Sequence, residues 1–400
     1  MAMKRGVAMG LLLAALPAAA LAQAPAGDAD ARILFETRLR SEAVDQQGFI
    51  DQAHALTLRT RLGWRSPTEH GLQLLIEGEG VAVLDDRYSA PSAPVPGRSA
   101  VADGETLELN RAQLAWTALP DTEVVAGRQR LVVGNSRFLG NVGWRQNEQT
   151  FDAVRLTTTA LKPVSLTWIF ADRVQRPLGH EHPQGVWRGD IHLLQIEGET
   201  PVGRLGAFGL AIDLDNAAAQ SSTTFGARLV GSRALAGDLS LTWAAEYARQ
   251  IDAGSNPADY ALDFQAAALG LQTPHWSAGL GVERFDGDGV SGFQTPLGTG
   301  HGFLGWSDVI TTTPAFGVRD LFLRGHVGLP AWGRTLRLTA EAHVFHDADG
   351  AFELGRELDL AAAMPIDRHW SVELKAAHFD GDHPAFGDAD KGWLTLEYRY

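Results

Sequence analysis

Apolar and polar residues alternate along most of this chain with the period of two that a half-buried β-strand requires. Near the start, Phe35, Thr37, Leu39 and Ala43 share one face, and Glu36, Arg38, Arg40 and Glu42 share the other. His54, Leu56, Leu58, Thr60 and Leu62 then alternate against Arg59 and Arg61. The pattern returns at Val164, Leu166, Trp168 and Phe170, at Leu239, Leu241, Trp243, Ala245 and Tyr247, and at Tyr260, Leu262 and Phe264. It recurs at Leu336, Leu338, Ala340, Ala342 and Val344, and ends with Leu394, Leu396, Tyr398 and Tyr400 opposite Thr395, Glu397 and Arg399. Followed through, it predicts 18 strands centred near residues 37, 58, 76, 111, 126, 156, 167, 193, 209, 227, 243, 263, 280, 323, 340, 360, 373 and 396. Around Leu107 to Trp116 the apolar parity switches from odd to even, which predicts a β-bulge. No stretch after the first 22 residues holds about 18 apolar residues in a row, so no transmembrane helix is expected.

The connections sort by parity. After even-numbered strands they are short: Ser66-Pro67-Thr68-Glu69, Leu119-Pro120-Asp121, Leu161-Lys162-Pro163, Leu329-Pro330-Ala331 and Pro365-Ile366-Asp367. After odd-numbered strands they are mostly long: 84–106, 130–151, 172–188, 286–319 and 379–391. Short turns at one end and long loops at the other mark an outer-membrane barrel, whereas a soluble sandwich has no reason to sort its loops. The expected fold is all-β: a transmembrane, antiparallel, up-and-down barrel of 18 strands with its short turns and both termini at the periplasm. Trp64, Trp116, Trp276, Trp332 and Trp370 stand at or beside the short turns, where an aromatic girdle would sit at the interface. Closure pairs every backbone N–H and C=O, as a lipid surrounding demands. The final Tyr400 matches the aromatic residue on which such barrels commonly end.

The N-terminus reads as an address. Lys4 and Arg5 precede an uncharged, mostly apolar run from Gly6 to Ala19, and Ala20-Leu21-Ala22 is a small-x-small cleavage box. Residues 1–22 are expected to be a signal peptide and 23–400 the barrel. Cleavage removes two cations, leaving 32 basic against 48 acidic residues, a net of −16 against −14 for the whole chain. Such an acidic chain is not expected to bind nucleic acid. The absence of cysteine excludes disulfides, iron–sulfur and thiolate zinc sites, a cysteine nucleophile and a lipidated N-terminus.

Barrels of 16 to 18 strands enclose water, where eight strands leave only room for side chains. The lumen-facing positions should then be polar. The first two strands set Arg38, Arg40, Arg59 and Arg61 side by side, and Arg128, Arg155 and Arg337 are expected to extend a basic wall. Glu77, Glu79, Glu246, Asp263, Glu341, Glu357, Asp359 and Glu373 supply acidic positions. Arginine holds a carboxylate through two parallel hydrogen bonds and keeps its proton at any working pH. The competing reading of each such charge is a salt bridge that only stiffens the wall.

Two loops carry a family resemblance. The first holds Gly127-Arg128-Gln129, then Asn135-Ser136-Arg137-Phe138-Leu139-Gly140-Asn141, then Trp144-Arg145-Gln146-Asn147-Glu148-Gln149-Thr150-Phe151-Asp152. The second holds Phe293-Gln294-Thr295-Pro296-Leu297-Gly298-Thr299-Gly300-His301-Gly302-Phe303, Gly305-Trp306-Ser307-Asp308, Thr313-Pro314, Gly317 and Asp320. Both resemble signature stretches of the alginate export family, and the resemblance runs from about residue 33 to 400. It implies an outer-membrane barrel of 18 strands. For the best-known member it implies export of an anionic polyuronate through an arginine-rich pore, and for many relatives passage of small solutes.

The first loop combines Arg137, Arg145 and Trp144 with the amides of Asn141, Gln146, Asn147 and Gln149. An aromatic face beside amides and guanidinium groups suits a sugar ring carrying a carboxylate. The second loop is long enough to fold inward as a constriction, with Gly298, Gly300, Gly302 and Gly305 for its turns. The alternative is that the two loops pack on each other to cap the barrel. The function expected is passive passage of anionic sugars or oligosaccharides, with polyuronate export and general small-solute passage both open. The expected partners are outer-membrane lipid, an anionic saccharide and, for an exporter, a periplasmic component; no cofactor is required. His180-Glu181-His182 lacks a third metal ligand at suitable spacing, and the Asp286 and Asp347 segments lack most of a calcium loop. An outer-membrane hydrolase is the competing class, with Ser371 and His369 as the formal pair.

Overall fold

The structure is a computed structural model that describes residues 32–400; the expected signal peptide lies outside the described residues. The strands are β1 (Arg32–Gln46), β2 (Ala53–Arg65), β3 (Leu72–Arg87), β4 (Thr106–Trp116), β5 (Thr122–Gln129) and β6 (Thr150–Thr158). They continue as β7 (Val164–Gln175), β8 (Val186–Thr200), β9 (Gly203–Leu214), β10 (Ser222–Ala234), β11 (Ser240–Asp252) and β12 (Ala261–Gln272). The last six are β13 (Trp276–Phe285), β14 (Val318–Ala331), β15 (Arg334–His346), β16 (Glu353–Pro365), β17 (Trp370–Gly381) and β18 (Ala389–Arg399). Each of the 18 centres read from the alternation falls inside one of these strands.

Every strand pairs antiparallel with its sequence neighbours, and β1 closes the sheet on β18 from Glu36 opposite Arg399 to Gln46 opposite Ala389. The result is a closed up-and-down barrel of 18 strands. The parity switch near 110 is a bulge: Glu77 faces Arg111 and Gly78 faces Leu109, so Asn110 has no residue opposite it. A bulge turns both Asn110 and Arg111 inward and restores the apolar row of Ala112 and Leu114 to the outside.

The outer face is built for lipid. Leu107, Leu280 and Leu323 leave 79%, 61% and 58% of their surface uncovered, a waste of apolar area in water and a gain in hydrocarbon. Trp64, Trp116, Trp276 and Trp370 occupy outward positions at the short-turn ends of their strands, and Trp332 lies in such a turn, forming the girdle expected there.

The lumen is not an empty tube. Two outer connections, residues 130–149 between β5 and β6 and residues 286–317 between β13 and β14, fold into it. Their Leu131, Leu139, Phe293, Leu297 and Ile310 pack on inward residues near the outer ends of the strands, among them Trp187, Ile212, Phe264, Phe285, Phe345 and Phe379. The inner wall is therefore apolar beneath these loop residues and charged elsewhere, including where other parts of the same loops dock. That apolar ring was not read from the alternation, because an inward phenylalanine looks the same in sequence as an outward one.

Candidate functional site

The two inner loops are joined into one constriction. Gly140 N donates to Leu297 O (2.9 Å) and Thr299 N to Ser136 O (2.9 Å). Gln149 Nε2 donates to Gly140 O (2.9 Å) and Leu297 O (3.0 Å), and Val142 N to Thr299 Oγ1 (3.2 Å). The contact is so close at Gly298 that a Cβ there would lie 2.0 Å from Arg137 O, so only glycine fits. Gly305, at φ +81°, turns the second loop where a side chain would strike the Glu357 carboxylate. Both sequence alternatives hold in part: the loops pack on each other, and they do so inside the lumen.

The first loop lies on the arginine wall. Register sets Arg38 opposite Arg59 and Glu36 opposite Arg61 across β1 and β2. Arg38 Nη1 donates to Trp144 O (3.1 Å) and Arg40 Nη1 to the same oxygen (2.7 Å). Arg59 pairs with Glu36 and, at 3.3 Å, with Glu397; Arg61 pairs with Glu79 and, at 3.4 Å, with Glu148. The structure thus brings Arg38, Arg40, Arg59 and Arg61 together, buried beneath the loop. Several of their N–H groups remain without a protein acceptor: Arg38 Nε, Arg59 Nε and Nη1.

Glu148 is the hub beneath this loop. It accepts from Asn110 Nδ2 (2.7 Å), Asn141 Nδ2 (2.7 Å) and Arg130 Nε (2.6 Å). Burial alone would raise its pKa, but Arg130 and Arg61 hold it well below the usual carboxylate range. Gln146 Nε2 reaches Thr57 Oγ1 at 2.8 Å, and its backbone N–H donates to Asp103 Oδ1 at 2.9 Å. The amides expected to meet a sugar therefore serve largely to anchor the loop.

A second anchor gathers around Lys375, on the inward row of β17. Its Nζ lies 2.8 Å from His301 Nε2 and 3.9 Å from the ring centres of both Trp144 and Trp306. Trp144 stacks on His301 at 3.9 Å between centroids with planes 6° apart, and Arg40 lies 4.0 Å from the Trp144 ring centre. His301 Nδ1 lies 3.1 Å from Asp308 Oδ2, which also accepts from Arg145 Nη2 at 2.9 Å. With the lysine donating to Nε2, the imidazole is neutral and carries its proton on Nδ1. Burial, helped by the Lys375 ammonium, pushes the His301 pKa down to about 3. Ser307 completes the fastening: its N–H and hydroxyl both donate to Glu357 at 2.6 Å.

The remaining arginines take different places. Arg137 lies buried with its guanidinium 3.6 Å from the Phe303 ring centre and paired with Glu283. Arg155 faces inward and pairs with Glu123 at 2.7 Å. Arg337 faces inward and exposed, donating to His326 Nδ1 at 3.1 Å. Arg128 departs from the expected wall. Gln129 and Phe151 point into the lumen, so Arg128 and its partner Asp152 (2.7 Å) face outward near the outer rim. The cause is plain alternation: Val125 and Gln129 hold the inward row of β5 with no shift in register, in a segment too short to show its parity in sequence. Asp263 likewise faces outward, bound to Arg249 and Tyr247, because Leu262 and Phe264 fill the inward row. Of the hydrolase pair, His369 Nδ1 bonds Arg399 O (2.7 Å) rather than Ser371.

Lys375 and Trp393 were not singled out from sequence, and His301, Trp306 and Asp308 entered only as part of the second loop's family stretch, with no role assigned. The only available signal was Lys375 itself, a lone cation in the lumen-facing row of a strand whose flanks are Val372, Leu374 and Ala376.

Below the tip of the first loop the lumen holds a cavity of about 720 Å3, between Phe138 and the inward rows of β8 to β11 and reaching the short turn at Thr200 and Pro201.

At the level of sequence, no family model and no curated protein matches the chain, so the resemblance to the alginate export family is not supported. Solved structures do match. OccK9 (OpdG) of Pseudomonas aeruginosa superposes with a TM-score of 0.72 at 18% identity, over 92% of this chain and 98% of that one. OccAB4 of Acinetobacter baumannii gives 0.70 at 11% identity, over 93% and 98%. Pseudomonas aeruginosa OpdK, solved with vanillate, gives 0.68 at 14% identity, over 92% and 98%. These neighbours are outer-membrane porins and not enzymes. The chain has their fold, a closed 18-stranded barrel of the bacterial outer membrane.

Proposed function

We propose that this protein is a passive outer-membrane channel for small solutes that carry a carboxylate, acidic sugars among them. The observation that supports this most is the arginine wall beneath the constriction. Arg38, Arg40, Arg59 and Arg61 stand on two adjacent strands, and guanidinium N–H groups of Arg38 and Arg59 lack a protein acceptor. Four guanidinium groups concentrated there raise the local positive potential and draw anions towards the constriction. Arg337, exposed in the lumen with neutral His326 as its neighbour, offers a second point of contact. The vanillate bound to OpdK is a small carboxylate of the same kind.

Small solutes are favoured over a polyuronate chain. The two loops are bonded to each other and to one stretch of wall, at Arg40 of β1 and Glu357 of β16, so the constriction is held at a fixed width that suits a small solute better than a polymer chain. The test is planar-bilayer recording in chloride with added glucuronate, then with alginate oligomers. Glucuronate is expected to lower the chloride current reversibly, and Arg59→Gln to weaken that block, while long oligomers do not cross. A channel indifferent to glucuronate, or one that passes long oligomers, contradicts this reading.

A further inference from the structure

We infer that the cavity beneath the first inner loop is a binding site for a small amine with an apolar body, such as an arylalkylamine. The inference rests on the channel reading and adds a solute class that the arginine wall does not select. Three glutamates and two arginines line the cavity. Glu199 is spent on Arg204 (2.8 Å), and Glu246 on Arg228 (3.4 Å) and Asn135 Nδ2 (3.3 Å). Glu197 has no cation partner among the described residues, so the free charge of the cavity is one carboxylate.

Its surroundings define the rest of the ligand. Glu197 stands opposite Gly206 across β8 and β9, and its carboxylate lies over that glycine: a Cβ there would sit 3.3 Å from Oε1. A carboxylate above a bare stretch of backbone is open on the lumen side. Two residues further along the same inward row is Phe208, about 7 Å away at strand rise. Its ring packs on Phe138 of the inner loop, 4.8 Å between centroids. Leu193 and Val230 continue the apolar side. A ring laid against Phe208 therefore places an ammonium two carbons away beside Glu197. The aromatic pair supplies dispersion contact and the carboxylate a charge-assisted hydrogen bond. A carboxylate on the same body would meet repulsion there.

Isothermal titration of the full-length protein in detergent, with 2-phenylethylamine at pH 7 and with 3-phenylpropionate as the anionic counterpart, tests this. Phenylethylammonium is expected to bind, and Glu197→Gln to weaken it about tenfold, the loss of one charge-assisted bond. Phe208→Leu is expected to weaken it as well, and circular dichroism confirms that each variant keeps its sheet. No binding to the parent protein, equal binding to Glu197→Gln, or tighter binding of phenylpropionate at this site overturns the inference. Bilayer recording separates the two readings. Binding without any ionic current upholds the site and sinks the channel, whereas current without amine binding does the reverse.

Discussion

Arg145 and Asp308, 163 positions apart in the chain, meet at 2.9 Å inside the barrel and tie one inner loop to the other. Arg145 also faces Glu42 of the wall at 3.8 Å. Replacing it with alanine leaves two largely buried carboxylates without their cation, which costs about 3 kcal/mol or more. Arg145→Ala is expected to lower the thermal midpoint, followed by the heat-dependent shift of the folded band on gels. It is also expected to make the open-channel current noisier. An unchanged midpoint would show that this ion pair does not hold the loops.

Lys375 is the second fastening, and methionine keeps its length without its charge. Lys375→Met removes the bond to His301 and the cation between Trp144 and Trp306. A loss of about 2 kcal/mol is expected. Tryptophan fluorescence checks it, because Trp144, Trp306 and Trp393 surround the site and should shift towards the emission of wetter rings.

Acid should loosen the same joint. His301, facing Lys375, Arg145 and Asp308, stays neutral in the fold down to about pH 3, whereas a free histidine takes a proton near 6.5. A depressed pKa in the folded state means stability that is complete above pH 6.5 and declines as pH falls towards 3. The thermal midpoint is expected to drop across that window, and His301→Gln to flatten the drop. A parent protein whose midpoint holds constant from pH 7 to 4 contradicts this assignment.

Arg128 provides the contrasting case. It faces outward with Asp152 near the outer rim, partly exposed, and a pair of that kind contributes within about 1 kcal/mol. Arg128→Ala is expected to leave conductance and glucuronate block as they are. A changed block would place Arg128 in the lumen after all.

The barrel was legible because its signal is repeated. Each strand shows only weak alternation, yet loops sorted by parity and the shift at Asn110 fit one architecture. Arg38, Arg40, Arg59 and Arg61 were legible as a group for the same reason: inward parity on adjacent strands brings them together whatever the loops do. What the loops do was not legible. Gln146 and Gln149 looked suited to a sugar, and they grip Thr57 and the second loop's Leu297 instead, since an amide bonds wall and solute with the same chemistry. Lys375 and His301 meet only in space, 74 positions apart, and neither carries a local pattern. Arg128 and Asp263 were misplaced because the buried residues beside them, Gln129 in one strand and Leu262 and Phe264 in the other, and not their own charge, decide which way they face.

The most direct test of the whole account is a current. Purified protein added from detergent to a planar bilayer in potassium chloride should produce discrete, uniform steps in conductance, each one barrel inserting. Material that inserts as folded barrels and carries no ions would show the inner loops to be a stopper, and would contradict the reading of this molecule as a channel.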